Sequence, residues 1–300
     1  MLEHTVEGDV RGMALSAYLR RAYPAIPAYA LREALKKKDV RVNGERAGAD
    51  APVRGGDRLR IYIDTKYTDN SLCVLYEGAG LLVVEKPQGL PVDADGKGVG
   101  ADTVLTRARA KYPEAELCHR LDAGTGGVLL LAYTAETLEA VLRAFKEETV
   151  RKTYLTAVAG VPERLEGSLS GSILKDADGA RVRVVAQGTP GARSARTDYR
   201  VLDTASVRGQ TVSLVEARIH TGRTHQIRAH MANAGMPVIG DDKYGDRELN
   251  AILHAKLPSL WCAEMVPEGE GLPEEVRGRA FASTPKFPLW KEFAAGGKGK

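Results

Sequence analysis

The sequence has few cysteines and no long apolar run, and both absences limit the kind of protein it can be. Cys73, Cys118 and Cys262 are an odd and scattered set, which favours reduced, buried thiols over a disulfide framework. The apolar run at residues 128–132 is far too short to span a bilayer, and the N-terminal MLEHTVEGDV is acidic where a secretory signal is basic. We therefore expect a cytoplasmic protein that does not enter a membrane.

A phosphate-binding loop is also missing. The stretch GLPVDADGKG has six residues between its glycines where such a loop has four, and no Ser or Thr follows Lys97. No glycine-rich dinucleotide fingerprint occurs elsewhere in the chain. We therefore expect no nucleotide cofactor.

What the sequence does have is positive charge concentrated near one end. The formal net charge of the 300 residues is +4, but residues 11–60 carry twelve Lys or Arg against five Asp or Glu. Concentrated basicity is typical of a polyanion binder, because each neutralised phosphate releases condensed counterions. A solvated basic face is the alternative on charge alone.

The basic segment has the pattern of a small domain. Residues 13–22 and 27–37 are predicted to be helices, the second with Pro27 at its first position, and Asn43-Gly44 predicts a tight hairpin turn. Residues 57–63 alternate as a half-buried strand does, and the polar residues 64–71 are typical of a linker. We place the domain at residues 1–66.

This arrangement resembles the small RNA-binding domain shared by a small-subunit ribosomal protein and tyrosyl-tRNA synthetase. The resemblance implies that the module binds RNA. The residues expected to do so lie on the second helix and around the hairpin turn: Arg32, Lys36, Lys37, Arg41, Asn43 and Arg46.

The rest of the chain, residues 70–295, alternates predicted strands with few helices. Two strands are predicted on either side of Gly78-Ala79-Gly80, followed by a flexible loop over residues 88–100. Leu138, Val141, Leu142 and Phe145 have the spacing of the apolar face of a helix that Thr134 would cap. We predict an α+β fold with a mixed, mainly antiparallel sheet and flanking helices.

Two polar clusters stand in apolar surroundings. In CHRLDAGTGGVLLLA, Asp122 precedes a glycine-rich turn and a buried strand that would hold it rigidly, although a structural ion pair with Arg120 is the alternative. In IHTGRTHQIRAHMANAG, a helix is predicted from Gly222 to Gly235, and Arg223 at its start suits an anion.

The histidines of the second cluster do not predict a metal site. His225 and His230 are five residues apart, which is about 140° around a helix, so they cannot share a face. Ile227 and Met231 have the spacing of a buried stripe. Tyr154 follows Lys152 by two residues in a predicted strand, so both side chains project from one face.

Taken in order, EKPQGLPV, HRLDAGTGGVLLLA, RKTYLTAV and HTGRTHQIRAHMANAGMPVIGDDKYGD are similar to the successive motifs of the RluA family of pseudouridine synthases. The resemblance implies the pseudouridine synthase fold and the isomerisation of uridine in structured RNA without a metal or cofactor. It implies that Asp122 is the catalytic aspartate, that Tyr154 stacks on the uracil and assists proton removal from carbon 5, and that Arg223 pairs with Asp122 and keeps it ionised. Arg120 would hold the pocket of the flipped nucleotide open. The expected substrate-binding residues are Arg120, Thr125, His225, Gln226, Ile227 and Arg228.

The sequence departs from the family pattern at two places. The family usually has T-S-G where this chain has Thr125-Gly126-Gly127, and His-Pro where Asp93-Ala94 stands. Neither change removes a catalytic group.

The expected partner is RNA, with large-subunit ribosomal RNA favoured over transfer RNA, and the expected state is a monomer. Two other functions compete with this interpretation. A non-catalytic RNA-binding or ribosome-assembly factor on the same fold would be expected to have lost Asp122, Tyr154 or Arg223. An RNA methyltransferase would need a glycine-rich cofactor loop, which the sequence lacks.

Overall fold

A computed structural model describes the chain except residues 9, 11, 24, 25, 27, 64–70, 95–101, 177–180 and 295–300. The chain forms two compact units: Met1–Ser71 with Ala94–Arg107, and Leu72–Asp93 with Ala108–Lys300. Most of the predicted linker, much of the predicted flexible loop and the helix-starting Pro27 lie outside the described residues. None of the helices described is long and apolar enough to cross a bilayer.

The first unit is a small α/β module. Its helices are α1 (Leu15–Ala22) and α2 (Ala28–Lys36), and its strands are β1 (Leu2–Thr5), β2 (Met13–Ala14), β3 (Val40–Val42), β4 (Glu45–Arg46), β5 (Pro52–Val53) and β6 (Arg58–Ile61). The sheet has the strand order β1-β6-β3-β4, and β2 pairs separately with β5. Leu15, Leu19, Leu31, Leu59 and Ile61 form the centre of its buried core.

The hairpin and strand predictions for this unit are confirmed. Asn43 and Gly44 have φ angles of 52° and 92°, as a tight turn between β3 and β4 requires. Leu59 and Ile61 are buried on alternate positions of β6. The first helix begins two residues later than predicted, because Met13-Ala14 pairs as a strand with Pro52-Val53.

The second unit is built on one large mixed sheet. Its strands are β7 (Cys73–Gly78), β8 (Leu81–Lys86), β9 (Glu116–Leu117), β10 (Gly126–Ala132), β11 (Val150–Ala159), β12 (Glu166–Lys175), β13 (Val182–Val185), β14 (Arg193–Val207), β15 (Gln210–Ile219), β16 (Leu260–Pro267) and β17 (Phe281–Ala282). The order is β13-β12-β14-β15-β11-β16-β10-β8-β7, with β9 on β10 and β17 on β16. The pairing of β10 with β16 is parallel and the other described pairs are antiparallel. The predicted α+β fold with a mainly antiparallel sheet is confirmed.

Five further helices lie in the described part of the chain: α3 (Val104–Arg109), α4 (Ala135–Lys146), α5 (Gln226–Asn233), α6 (Arg247–Ile252) and α7 (Trp290–Ala294). Thr134 caps α4 as predicted, because its side chain accepts a hydrogen bond from the Thr137 N–H at 3.4 Å.

The predicted apolar face of α4 is partly wrong. Val141 is buried, but Leu142 is 44% exposed. The buried stripe is Thr137, Ala140, Val141 and Ala144, which repeats every three or four residues and leaves Leu142 on the solvent side. Small side chains therefore pack where larger ones were expected.

The cysteines are free, as expected, but only two of them are buried. Cys118 and Cys262 lie in the interior, whereas Cys73 is exposed on β7. The expectation that all three are buried is therefore wrong for Cys73.

Candidate active site

Asp122 lies in the loop between β9 and β10, immediately before a strand buried along its whole length. The loop closes tightly, because the Thr125 N–H donates to the Asp122 carbonyl at 3.0 Å. Thr125 itself is buried and the Asp122 side chain is 28% exposed. The carboxylate is therefore held at the edge of the interior, within reach of solvent.

A second segment, which begins at the last residue of β8, is hydrogen-bonded to this loop. Lys86 is fully buried and its ammonium donates to the carbonyls of Pro87, Leu90 and Ala123 at 2.9, 2.7 and 3.0 Å. Three acceptors match the three N–H groups of an ammonium. Burial lowers the pKa of Lys86 to about 7, against the attraction of the Asp122 carboxylate, which raises it.

Gln88 adds two further bonds to the same region. Its side-chain amide donates to the carbonyls of Gly124 and Pro258 at 2.8 and 2.7 Å. The site residues predicted from the sequence did not include Lys86 and Gln88, although both stand in the EKPQG motif that carries the family resemblance.

One guanidinium joins Asp122 to two more carboxylates. Arg228 donates from Nη1 to Asp122 Oδ2 at 3.0 Å, from Nε and Nη2 to Asp241 at 2.6 and 2.8 Å, and from Nη2 to Asp242 Oδ1 at 3.0 Å. Arg228 and Asp241 are buried, whereas Asp242 is exposed. Burial by itself would lower the pKa of Arg228, but the hydrogen bonds and charges of Asp241 and Asp122 raise it.

The predicted pairing of Arg223 with Asp122 is wrong, because Arg228 occupies that position. Arg223 Nε donates instead to the carbonyl of Ser194 at 3.0 Å. The helix begins at Gln226 rather than at Gly222, so Arg223 lies in the preceding loop and Arg228 lies in the first turn. That turn carries Arg228 to the Asp122 carboxylate.

His225 lies beside the same carboxylate. Its Nε2 is 3.8 Å from Asp122 Oδ2, and its Nδ1 is 2.9 Å from the Tyr244 hydroxyl, which accepts the Val182 N–H at 2.7 Å. Burial lowers the pKa of His225, with the Asp122 charge acting in the opposite direction. The neutral imidazole is therefore favoured, and a proton on the Tyr244 hydroxyl can be donated to Nδ1.

Tyr154 lies on β11 with only 6% of its surface exposed. Its cross-strand neighbour is Cys262 on β16, and the register of the two strands shifts between Thr153 and Tyr154. Burial raises the pKa of Tyr154 well above its usual range, with further contributions from Cys262 and Asp122. The phenol is therefore held in the neutral form.

Among the remaining predicted site residues, one is exposed and two are buried. Arg120 is exposed and forms an ion pair with Asp93 at 3.1 Å. Gln226 is buried, and its amide is bonded to Thr221, Arg196 and Thr197 within the fold. Ile227 is also buried, as its spacing predicted. These contacts bring neither Gln226 nor Ile227 to Asp122.

Among the predicted RNA-binding residues of the first unit, Arg32, Lys36, Lys37 and Arg46 are exposed. Asn43 is exposed as well, but its amide donates to Asp57 and accepts the Arg58 N–H, both at 2.9 Å. It therefore holds the hairpin against β6. Arg41 lies over the ring of Tyr62.

The departure at Gly126 has a structural counterpart in Trp261. The two residues are paired across β10 and β16, and a Cβ on Gly126 would lie under 3.0 Å from three carbons of the indole ring. Gly127, with φ 111°, meets the backbone of Cys262 just as closely. The strand that follows the Asp122 loop therefore begins with two glycines that leave no room for a side chain.

We expect Gly126→Ser to lower the free energy of unfolding by about 1–3 kcal/mol, as overpacking of a core does. Thermal or urea unfolding measures this. In the Trp261→Leu background the same substitution should lower the free energy of unfolding by clearly less, because the ring carbons that contact the new side chain are gone. Equal costs in both backgrounds would show that the indole ring does not exclude a side chain at this position.

In the described residues, the two oxygens of Asp122 are not equivalent. Oδ2 is bonded to Arg228, whereas Oδ1 has no hydrogen-bond partner there. No group of three or more His, Cys, Asp or Glu side chains in the described ranges is arranged to hold a metal. The site therefore offers one anchored carboxylate with a free oxygen, beside an imidazole whose neutral form is favoured.

The part of the chain that carries this site matches a known class of RNA-modifying enzyme. The RNA pseudouridylate synthase family matches residues 80–233, which contain Lys86, Asp122, Tyr154 and Arg228. The chain belongs to this family, of the RluA type that its motifs predicted. It is therefore an RNA pseudouridine synthase.

Two named relatives resemble it over most of its length. It is 32% identical to "Ribosomal large subunit pseudouridine synthase C" of Vibrio cholerae, over 82% of this chain and 81% of that protein. It is 33% identical to the protein of the same name from Escherichia coli K12, over 82% and 80%. The solved structure of human RNA pseudouridylate synthase domain containing 1 covers 77% of this chain and 96% of its own, with a TM-score of 0.58 and 24% identity, and supports the fold.

Proposed function

We propose that this enzyme converts uridine to pseudouridine in large-subunit ribosomal RNA, with Asp122 as the catalytic carboxylate. The observation that carries the role of Asp122 is its asymmetric anchoring: Arg228 holds Oδ2 while Oδ1 stays free of hydrogen bonds in the described residues. The curated relatives named above act, by their names, on the ribosomal large subunit, which supports the choice of RNA.

The reaction needs little beyond such a carboxylate. The bond between ribose and the uracil nitrogen breaks, the base turns, a bond to carbon 5 forms, and the proton on carbon 5 is lost while the freed nitrogen gains one. The conversion is an isomerisation, so no group or electron is added from a cofactor. Asp122 attacks either the ribose or the base, and its free oxygen serves both routes.

Tyr154 is proposed to stack on the uracil beside Asp122. Its pKa is raised by burial, so the neutral phenol is the resting form, which favours packing and hydrogen-bond donation over proton abstraction by a phenolate. Arg120, which is exposed beside the Asp122 loop, is proposed to hold the nucleotide pocket open. Thr125, His225 and Arg228 are proposed to shape that pocket.

We propose that the first unit binds RNA through its exposed cations. Arg32 and Lys36 are one helical turn apart on the solvent side of α2, and Arg46 lies at the hairpin. Extrusion of a base from folded RNA costs a few kcal/mol of stacking, and a basic anchor offsets that cost by binding phosphates. The proposed enzyme acts in the cytoplasm as a monomer.

We expect the triple substitution of Arg32, Lys36 and Arg46 by Gln to weaken RNA binding about tenfold and to leave the rate on saturated RNA unchanged. The slope of log affinity against log salt should fall by about 0.7–0.9 for each lost phosphate contact. Filter binding at several salt concentrations measures the RNA affinity and its salt slope. The control is a second triple variant in which the exposed residues Arg143, Lys146 and Lys291 are changed to Gln. If the two triple variants lose equal RNA affinity, then RNA binding depends on the total positive charge of the protein and not on this surface.

The function itself is tested on unmodified RNA. Purified wild-type protein is incubated with a transcript of large-subunit ribosomal RNA and, separately, with transfer RNA transcripts, and pseudouridine is mapped at single positions. Pseudouridine at a defined ribosomal position is the expected result. Modification of transfer RNA alone would move the substrate to the other class, and no modification of either would leave an RNA-binding factor on a synthase fold.

A further inference from the structure

Tyr244 is a neighbour of the site that the proposed chemistry does not use. It stands in the last of the motifs that carry the family resemblance. Its hydroxyl accepts the Val182 N–H of β13 at 2.7 Å and lies 2.9 Å from His225 Nδ1. The phenol and imidazole rings meet edge to face, with their centroids 5.6 Å apart. Tyr244 therefore joins a backbone group of β13 to the imidazole beside Asp122.

The hydrogen bonds of this pair run in one direction. A phenol has one proton to donate, and the Tyr244 oxygen already accepts the Val182 N–H. His225 Nδ1 is the acceptor that the described residues offer for the phenol proton. A neutral imidazole that accepts a hydrogen bond at Nδ1 carries its own proton on Nε2. That Nε2–H faces Asp122 Oδ2 across 3.8 Å.

The surroundings of His225 favour a neutral imidazole that is held in one place. Its charged neighbours balance, because Asp122 and Asp241 oppose Arg228 and Lys243, and burial lowers its pKa. The side chain is 10% exposed, and the backbone has a φ of 52°, which is uncommon for a residue other than glycine. His225 therefore presents one protonated nitrogen to the carboxylate.

We propose that Tyr244 and His225 are positioning residues for Asp122. Tyr244 fixes the tautomer of His225, and the Nε2–H of His225 becomes a second donor to Asp122 Oδ2 when uridine is bound. This inference rests on the proposed function. The contact of 3.8 Å is too long for a hydrogen bond, but the hydrogen bonds of an active site are often long in the free enzyme and shorten when substrate binds. With Arg228 and His225 both donating to Oδ2, the carboxylate is held against rotation, and Oδ1 remains the oxygen that meets the uridine.

The tautomer is tested by nitrogen NMR of the protein, isotopically labelled in its histidine rings, at neutral pH and without RNA. The chain has six histidines, and the signals of His225 are assigned by their loss in His225→Gln. We expect a protonated Nε2 and an unprotonated Nδ1 in the wild-type protein, and a mixture of the two tautomers in Tyr244→Phe. A proton on Nδ1 of the wild-type protein would overturn the proposal.

The positioning role is tested by single-turnover rates on the unmodified transcript of large-subunit ribosomal RNA. Gln places an amide N–H near the position of Nε2, whereas Asn places it near Nδ1 and leaves Asp122 without this donor. We expect His225→Asn to lower the rate at saturating enzyme about 10- to 100-fold with an RNA affinity within about twofold of wild type, and His225→Gln to lower the rate less than about fivefold. Tyr244→Phe should lower the rate about three- to tenfold by itself and have no further effect when combined with His225→Asn.

His254→Asn is the matched control, because His254 is exposed, has a φ of 53° and follows α6 outside the site. This control should keep the wild-type rate. If His225→Asn and His225→Gln lose the rate equally, the packing of the ring matters and not its donor, and the proposal is wrong. It is also wrong if Tyr244→Phe lowers the rate as much with His225→Asn as without it. Failure of the proposed function gives a different result, because wild-type protein would then form no pseudouridine, whereas the tautomer is measured without RNA.

Discussion

Asp122→Asn is expected to abolish pseudouridine formation while leaving the protein folded and bound to RNA. The amide keeps the shape of the side chain and can still accept a hydrogen bond from Arg228, but it is neither a nucleophile nor a charge. We expect the rate to fall by about 10⁴ to 10⁶-fold, the order found when a catalytic nucleophile is removed. Single-turnover release of tritium from carbon 5 of labelled uridine measures it.

Two controls make this result specific. Asp203→Asn removes an exposed carboxylate on β14 and should keep the wild-type rate. The unfolding free energy of Asp122→Asn should stay within about 1.5 kcal/mol of wild type, because one hydrogen bond is weakened and Arg228 keeps its two bonds to Asp241. A variant that retains more than about a hundredth of the rate would rule out Asp122 as the attacking group.

Asp122 could be singled out from the sequence as a candidate because its surroundings are local, and its catalytic role stays a prediction that the family resemblance implies. A charged residue followed by Gly124, Gly126 and Gly127 and then by a run of buried apolar residues is a pattern that a few positions define. Arg120, the alternative partner of Asp122, forms its ion pair with Asp93. The turn and the strand that follows it were both visible without a structure.

The partner of Asp122 could not be read in the same way. Both candidate cations stand in one motif, and the choice between them depends on where α5 begins. Gly222 predicted a helix start four residues too early. The chain stays irregular up to His225, whose φ is 52°, and α5 begins at Gln226. Boundaries of this kind depend on tertiary contacts, such as the hydrogen bond from the Arg223 side chain to Ser194.

Asp241 and Asp242 were missed for a related reason. They follow the helix in a loop without periodicity, where a pair of acids is ordinarily solvated. Only the folded chain shows that Asp241 is fully buried beneath Arg228 and also accepts the N–H groups of Lys243 and Tyr244 at 2.9 and 3.0 Å. A buried carboxylate needs such partners, and that need is the physical signal that the sequence does not contain.

Arg228→Lys is expected to damage both stability and catalysis. An ammonium is a point charge, so it cannot bond both oxygens of Asp241 and reach Asp122 in one geometry. Because Asp241 is fully buried, losing its bidentate partner should lower the free energy of unfolding by about 3–5 kcal/mol. With Oδ2 of Asp122 unanchored, the rate should fall by at least about 10²-fold, as small misplacements of a reacting group do.

Asp241→Asn separates the effect on stability from the effect on rate. It weakens the buried ion pair of Arg228 with Asp241 and leaves the bond between Arg228 and Asp122 in place. We expect this variant to lose stability about as much as Arg228→Lys but to keep more of its rate when both are assayed well below their melting temperatures. Arg143→Lys on the exposed face of α4 is the matched control and should change neither quantity. If Arg228→Lys unfolds more easily yet reacts as fast as wild type, then the guanidinium stabilises the fold alone and the chemistry does not need an anchored carboxylate.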